Sequence, residues 1–444
     1  MNDLIFPGQV FSGLKTLLLS HSTESAAILV TTPVKTKSGF RILVNDIHLP
    51  TDEAYLKKTG VDCQLKPEFL APIVKKAKLN NKGLVFVHTH PGSINNPRFS
   101  PIDDKGEKTL CVFLEKRNVL GPHIALVVGP NGCTARFLGT FKKIRVMEVG
   151  PNIWSHSNEE TKFGQIKQFD RQIRAFGPLG QHFLRDLKLG IVGLGGTGSL
   201  VIQQLAYLGV KNYLLIDPDV IEVSNLNRVV GANKKDLNRP KVDIANRLIK
   251  FVNNEAEIKK VKGSILDAKV ALLLKDVDFI FCCTDSHGSR AILNQLSYQY
   301  FIPCIDIGVS ITAQNHQVTH ITGRTQMLSP GLGCLTCSGT LDPDAIRYDL
   351  MTSFQRQKDP YFIGDNIPAP SVISLNSTMV SFAITMFLGF VTGVPFKARF
   401  QTYDGITGKL RPASAPIDPV CIVCSPRGAF GRGDEWPLPA RQNE

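Results

Sequence analysis

The stretch L-G-I-V-G-L-G-G-T-G-S-L-V-I-Q-Q-L-A-Y-L-G-V-K-N-Y-L-L-I-D, Leu189 to Asp217, decides the fold of the larger part of this chain. A short apolar run, Leu189 to Val192, meets Gly193, Gly195 and Gly198 at G-x-G-x-x-G spacing, with Gly196 beside them. A helix-like stretch follows from Ser199 to Leu208, and a second apolar run closes on Asp217. This order predicts a βαβ unit that cradles a nucleotide. One glycine makes the tight turn, one admits backbone close to a phosphate, one lets the helix pack on the strand, and the helix N-terminus faces the anion. Asp217, at the end of the second strand, is placed to accept hydrogen bonds from ribose hydroxyls. The fold class is therefore α/β, Rossmann-like, with a mostly parallel sheet. The glycines alone favour NAD or FAD, their commoner use, over ATP.

Residues downstream of Asp217 shift that balance. Asp219 comes next, then S-N-L-N-R (Ser224 to Arg228), R-P-K (Arg239 to Lys241), and F-I-F-C-C-T-D ending on Asp285. A dehydrogenase has no need of Arg228 and Lys241 beside the ribose acid, whereas a triphosphate needs cations to offset its charge and a carboxylate to hold Mg²⁺. The constellation reads as ATP chemistry.

A chain of 444 residues has room for about two or three domains. The net charge of +13 is spread over Lys pairs such as Lys75-Lys76 and Lys142-Lys143, with no basic block and no basic-aromatic alternation. Nucleic acid is not expected as the main partner; an acidic protein or substrate phosphates would use the same field. The N-terminus lacks the cationic start and apolar run of a signal peptide. From Asn366 to Phe396 no side chain is charged, yet serines, threonines and Asn376 recur, so a buried helix is expected and not a membrane span. Ten cysteines without a secretion signal point to the cytoplasm and to metal binding over disulfides.

The first 150 residues read as a separate, smaller α+β domain. Strands are expected at Ala26 to Thr31, Phe40 to Ile47, Leu84 to His88, His123 to Val128 and Thr134 to Leu138, and a helix at Pro67 to Leu79. Residues 151–166 read as a linker, 167–430 as the nucleotide domain and 431–444 as a tail. Within the first domain, V-F-V-H-T-H-P-G is followed by S-P-I-D-D. His88 and His90, two apart at a strand end, project to one side. Asp103 supplies a third ligand, and three protein ligands leave a zinc position open, as catalysis requires. Ser100-Pro101 is also a good helix start, and capping by Ser100 would fix Asp103.

His88-Thr89-His90-Pro91 with Ser100-x-x-Asp103 and an upstream Glu24 resembles the JAB/MPN (JAMM) metalloprotease family, over about residues 15 to 140. The resemblance implies zinc on His88, His90 and Asp103, Glu24 as general base, and Ser100 supporting the oxyanion. The gap from Pro91 to Ser100 is longer than the family pattern. The chain from about Phe169 to Ser425 resembles the ThiF/MoeB/HesA E1-like adenylyltransferases, through F-D-R-Q-I-R-A-F-G-P-L-G-Q and the motifs already quoted. That resemblance implies Asp217 on the ribose, Asn225, Arg228 and Lys241 on the phosphates, and Asp285 on Mg²⁺. It also implies that Arg171 reaches a partner subunit's ATP, hence a homodimer. Ser286 departs from the Asn that commonly follows the Asp.

Cys334-x-x-Cys337 and Cys421-x-x-Cys424 form a four-thiolate set suited to structural zinc. Cys63, Cys111, Cys133, Cys282, Cys283 and Cys304 read as packing residues. The expected function is twofold. ATP and Mg²⁺ would adenylate the terminal glycine of a ubiquitin-like or sulfur-carrier protein, and the zinc domain would hydrolyse a peptide or isopeptide bond at that terminus. Alternatives are a Rossmann NAD(P)-dependent oxidoreductase, an E1-like enzyme acting on a tRNA-bound carboxylate, and a non-catalytic scaffold. Ser338 to Asn366 contains no cysteine, so the adenylate is expected to pass to a sulfur donor, a conjugating enzyme or another external thiol.

Overall fold

A computed structural model describes residues 2–156, 167–314, 317–358 and 370–442. The segment 157–166, within the expected linker, and positions 359–369, where the uncharged run begins and the cysteine-free segment ends, lie outside the described residues. The chain divides into two compact units, Met1–Lys162 with Gly431–Trp436, and Phe163–Phe430 with Pro437–Glu444.

The first unit contains β1 (Asp3–Pro7), α1 (Val10–Leu18), β2 (Ala26–Lys35), β3 (Phe40–His48), β4 (Tyr55–Lys58), β5 (Cys63–Leu65), α2 (Pro67–Leu79), β6 (Gly83–Thr89), α3 (Pro101–Glu115), β7 (Ile124–Gly129), β8 (Gly132–Phe137), β9 (Lys143–Val149) and β10 (Ile153–Ser155). The expected helices and strands are present, but the sheet is barrel-like where a small α+β domain was expected. Its order is β1-β3-β2-β6-β7-β8-β9-β10, and β1 also pairs with β9. Leu4 lies in register with Ile42 on one side and Val146 on the other. The closing strand is D-L-I-F-P, too short for its alternation to stand out in the sequence. Ile153–Ser155, inside the segment read as linker, extend the sheet as β10 on β9.

Side-chain alternation builds two cores from one sheet. Ala27 and Leu29 of β2 and Val85 and Val87 of β6 join Leu4, Phe6, Phe11 and Leu126 in one. Ile28, Val30, Leu84 and Phe86 face the other way, against Leu70, Ile73 and Val74 of α2 and Leu114 of α3. Gly431–Trp436 lies along β2. Asn45 Nδ2 donates to Gly431 O at 3.0 Å, Lys82 Nζ stands 2.6 Å from Glu435 Oε2, and a Cβ on Gly433 would come within 2.6 Å of Val34 Cγ2.

The second unit runs α4 (Asp170–Asp186), β11 (Lys188–Val192), α5 (Gly196–Tyr207), β12 (Asn212–Ile216), α6 (Lys241–Val252), β13 (Glu257–Val261), α7 (Ala268–Ala271), β14 (Phe279–Cys282), α8 (His287–Gln299), β15 (Cys304–Gln314), β16 (Gln317–Leu328), α9 (Pro343–Leu350), α10 (Ser353–Lys358), α11 (Ile373–Val391), β17 (Phe400–Asp404) and β18 (Lys409–Pro412). The sheet order is β13-β12-β11-β14-β15-β16-β17-β18. The first five strands are parallel, and β16 to β18 continue antiparallel. The order turns back at β11, so the crevice beyond the carboxyl ends of β11 and β14 is where such sheets bind ligands. By length and composition α11 could cross a membrane. In the structure its Phe387 and Phe390 stack edge-on against Phe279 of β14, with ring centroids at 4.8 and 5.7 Å.

Candidate functional site

The glycines at that crevice divide the work by geometry. Gly193 turns the chain with φ at +87°, and a Cβ there would stand 2.7 Å from Cys283 O. The turn thus brings the end of β14 against the start of the loop. A Cβ on Gly198 would meet Gly193 O at 1.9 Å, so helix α5 can approach β11 only without one. Around Gly195 nothing among the described residues lies within 4 Å of the Cβ position. That opening faces the N-terminus of α5, which has no side-chain cap. Uncapped N–H groups and the helix dipole make it a seat for an anion.

Asp217 follows β12 and is buried. Its Oδ2 accepts from Leu194 N at 2.6 Å and its Oδ1 from Asp219 N at 2.8 Å, leaving one lone pair on each oxygen for a ribose. Burial pushes its carboxyl up, against the pull of Lys241 and the two N–H donors. Lys241 begins α6, with Nζ 2.8 Å from Asp219 Oδ2. Arg228 donates to Ser224 O, and its stem lies 3.3 Å from the Cβ position of Gly196. Asn225 is less available than expected, since its Oδ1 accepts from Glu222 N at 3.2 Å and closes the turn that presents Arg228. Ser199 Oγ accepts from Val230 N at 3.0 Å and ties that loop to α5. Asp285 is exposed just beyond β14, before Ser286, which caps α8 by accepting from Ser289 N at 3.1 Å. Arg171 is exposed in the first turn of α4.

Two features escaped the sequence reading. Asn376 of α11 is buried, with Nδ2 2.6 Å from the Cβ position of Gly196, so the uncharged helix sends a polar group to the glycine loop. Its place in a run of small polar residues gave no signal. The second is Asp306 of β15, fully buried and bound by both Arg290 of α8 and Arg324 of β16. These three residues stand far apart in sequence and match no spacing pattern.

The four cysteines of the two C-x-x-C pairs meet. Cys334 Sγ and Cys421 Sγ are 3.6 Å apart, Cys337 Sγ and Cys424 Sγ 3.4 Å, and all four lie within 4.8 Å of one another. A disulfide would need about 2.0 Å. Tetrahedral bonds of about 2.3 Å to zinc put sulfurs about 3.8 Å apart, so the set fits that ion. A hydrogen bond from Cys424 holds the Cys334 thiol down at about 5. Of the cysteines read as packing, Cys282 is buried, and its thiol is pushed up to about 12 by that burial. Cys63 of β5 is only partly covered; burial, then the charges of Glu24, Asp62 and Asp103, push it up to about 12.

In the first unit, His88 at the end of β6, His90 just beyond it and Asp103 of α3 bring their ligand atoms within 4.8 Å of one another. His88 Nε2 is 3.1 Å from Asp103 Oδ1, and His90 Nε2 is 3.6 Å from Asp103 Oδ2 and 3.5 Å from Glu24 Oε1. Ligands on a tetrahedral zinc stand about 3.3 Å apart. His88 Nε2 is buried and, among the described residues, has no partner in hydrogen-bond geometry, which suits a metal ligand. Ser100 Oγ accepts from Asp103 N at 3.2 Å while Asp103 Oδ2 accepts from Ser100 N at 2.6 Å. This capping box fixes the carboxylate and leaves the Ser100 proton free to donate. Burial would raise the Asp103 carboxyl, but the two imidazoles hold it well below the usual range. Glu24 is pushed up by burial and pulled back by the same imidazoles.

The sequence profile of the ThiF family matches residues 169–422, leaving the first unit outside it. Molybdopterin-synthase adenylyltransferase of Escherichia coli is 29% identical over 262 residues, which are 59% of this chain and 96% of that protein. The SAMP-activating enzyme E1 of Haloferax volcanii is 29% identical over 175 residues, 39% of this chain and 62% of that protein. Among solved structures, MccB of E. coli superposes with a TM-score of 0.49 at 18% identity, covering 60% of this chain and 75% of its own.

Proposed function

The chain belongs to the ThiF family, and from that premise we propose that its second unit adenylates the C-terminal carboxylate of a small ubiquitin-like or sulfur-carrier protein ending in glycine. The observation that carries this reading is the open space at Gly195, set between the Asp217–Lys241 side and Asp285. Asp217 orients the ribose. The α5 N-terminus, Arg228 and Lys241 hold the phosphates and disperse the charge that builds as pyrophosphate leaves. A Mg²⁺ ion held by Asp285 would offset the same charge. No protein nucleophile is needed, because the partner's carboxylate attacks the α-phosphorus itself and positioning carries the rate. Arg228 and Lys241 favour this over a nicotinamide reading, in which two phosphate cations would have no role.

ATP–pyrophosphate exchange against small proteins ending in glycine tests the proposal. Exchange should depend on one such protein, and Asp285→Asn should lower it by at least about a hundredfold. Exchange without any protein, or none with a full panel while NAD binds tightly, would overturn it. Exposed Arg171 fits a homodimer in which each subunit supplies a cation to its partner's nucleotide. The product passes to an external sulfur donor or conjugating enzyme, since residues 338–366 hold no cysteine.

The first unit is read as a JAB/MPN-like metallopeptidase acting on that partner's C-terminus, and the convergence of Glu24, His88, His90 and Asp103 supports it. Zinc on the two histidines and Asp103 would supply an acidified water. Glu24 accepts the proton, and Ser100 is placed to donate to the developing oxyanion.

A further inference from the structure

Arg290 of α8 and Arg324 of β16 carry more positive charge than the one carboxylate of β15 that they share. Asp306 is fully buried and accepts from Arg290 Nε at 3.1 Å through Oδ1 and from Arg324 Nη2 through Oδ2. Two guanidiniums share this one buried carboxylate, and the next acidic group acting on Arg290 is Asp285, whose charge a bound Mg²⁺ would take up. Arg324 Nε is buried and, among the described residues, has no hydrogen-bond partner. A buried donor left unmade costs free energy unless something else binds it. Arg324 pairs across the sheet with Gly308, and Gly308 leaves room there. Its Cβ position is 3.6 Å from Arg290 Nη2 and 3.9 Å from Arg324 Nη2, so both terminal nitrogens converge over a residue with no side chain.

The place of this pair in the sheet says what it faces. Reading across, β12 leads into Asp217, β11 into the glycine loop and β14 into Asp285, while Asp306 is the third residue of β15, level with the last residue of β14, with strands about 4.8 Å apart. On the adenylation reading the nucleotide spans the first three. Asp306 pairs in register with Cys282, three residues short of Asp285, and Arg290 also donates to Asp285 O at 3.3 Å. The arginines therefore stand on the far side of Asp285 from the phosphate seat, where the second reactant must enter.

We propose that Arg324 and Arg290, held by Asp306, are the seat for the incoming C-terminal carboxylate, and so determine that the enzyme takes a free acid. This rests on the adenylation reading. One carboxylate oxygen stays on the guanidiniums while the other forms the new bond to the α-phosphorus. The bond from that phosphorus to the bridging oxygen breaks, and its electron pair leaves with pyrophosphate. Arginine suits the task because its planar fork matches a carboxylate in geometry as well as charge.

The probes are a hexapeptide ending in Gly-Gly as the free acid and the same peptide as its C-terminal amide. Each is titrated by saturation-transfer NMR into the full chain loaded with Mg²⁺ and a nucleotide whose α–β bridge cannot be cleaved. The wild type should prefer the acid by at least about tenfold, and Arg324→Gln should erase that preference with nucleotide affinity unchanged. Arg324→Lys should restore part of it. Equal binding of acid and amide by the wild type, no binding of the acid at millimolar concentration, or a preference that survives Arg324→Gln overturns the seat. The wild-type comparison decides even if Arg324→Gln does not fold. An Arg324-dependent acid preference without pyrophosphate exchange would retain the seat and discard adenylation. Exchange with the same KM for the protein substrate in wild type and Arg324→Gln would do the reverse.

Discussion

At the scale of single residues the glycine loop gives two opposed expectations. Gly198→Ala forces a Cβ to 1.9 Å from Gly193 O and should cost at least about 3 kcal/mol, read as a large fall in melting temperature. Gly195→Ala meets nothing within 4 Å among the described residues and should leave melting within about 1 kcal/mol of wild type. Its effect should appear only in calorimetric titration with a non-cleavable ATP analogue, as a loss of at least about tenfold. If both variants melted alike, the division of roles between these glycines would be wrong. The three roles were legible in the sequence because each follows from the absence of one atom. The Asp306 pair was not, because it depends on which elements become neighbours, and three residues whose first and last stand 34 apart carry no periodic mark.

Elements show what ties motifs into a site. Asp236, at the end of the loop that presents Arg228, is buried and bound by Arg247 of α6, with Oδ2 2.7 Å from Nη2. The Arg247 hydrogen bond lowers its carboxyl from 3.8 to about 2. A depressed carboxyl stabilises the fold above its unfolded value and stops doing so as pH falls through its folded value. Asp236→Asn should therefore cost about 1–2 kcal/mol in urea melts at neutral pH, Arg247 being half exposed to solvent, and the difference from wild type should shrink between about pH 4 and pH 2. The cysteine tetrad supports a second expectation. Cys337→Ser should lose one zinc per chain and lower the melting temperature without changing which protein is activated, because structural metal binding contributes directly to folding. Unchanged zinc content and melting would remove the metal assignment. Long, doubly buried strands such as β2 and β6 were plain in the sequence as apolar runs. β1 and β10, with 5 and 3 residues, were not, since so short a strand is made by its neighbours more than by its own pattern.

For the whole molecule, two chemistries on two compact units should be separable. Glu24→Gln should keep zinc and adenylation while losing hydrolysis by at least about a hundredfold, and Asp285→Asn should do the opposite. Parallel peptidase and exchange assays on both variants check this, and a folded variant that lost both activities would contradict it. Organisation into two units was readable from composition and motif order. That residues 431–436 complete the first unit was not, because nothing in G-R-G-D-E-W announces a partner hundreds of positions earlier. The hexapeptide bears on how the protein comes into being. Synthesis runs toward the C-terminus, so the barrel leaves the ribosome without its last piece, and Val34 and Lys82 wait for Gly433 and Glu435 until residues 163–430 of the nucleotide unit have been translated. A nascent chain stalled at any earlier codon exposes that face of β2 to proteases and chaperones, so protease resistance of the first unit should arrive as a late step, timed by the translation of Gly433 and Glu435.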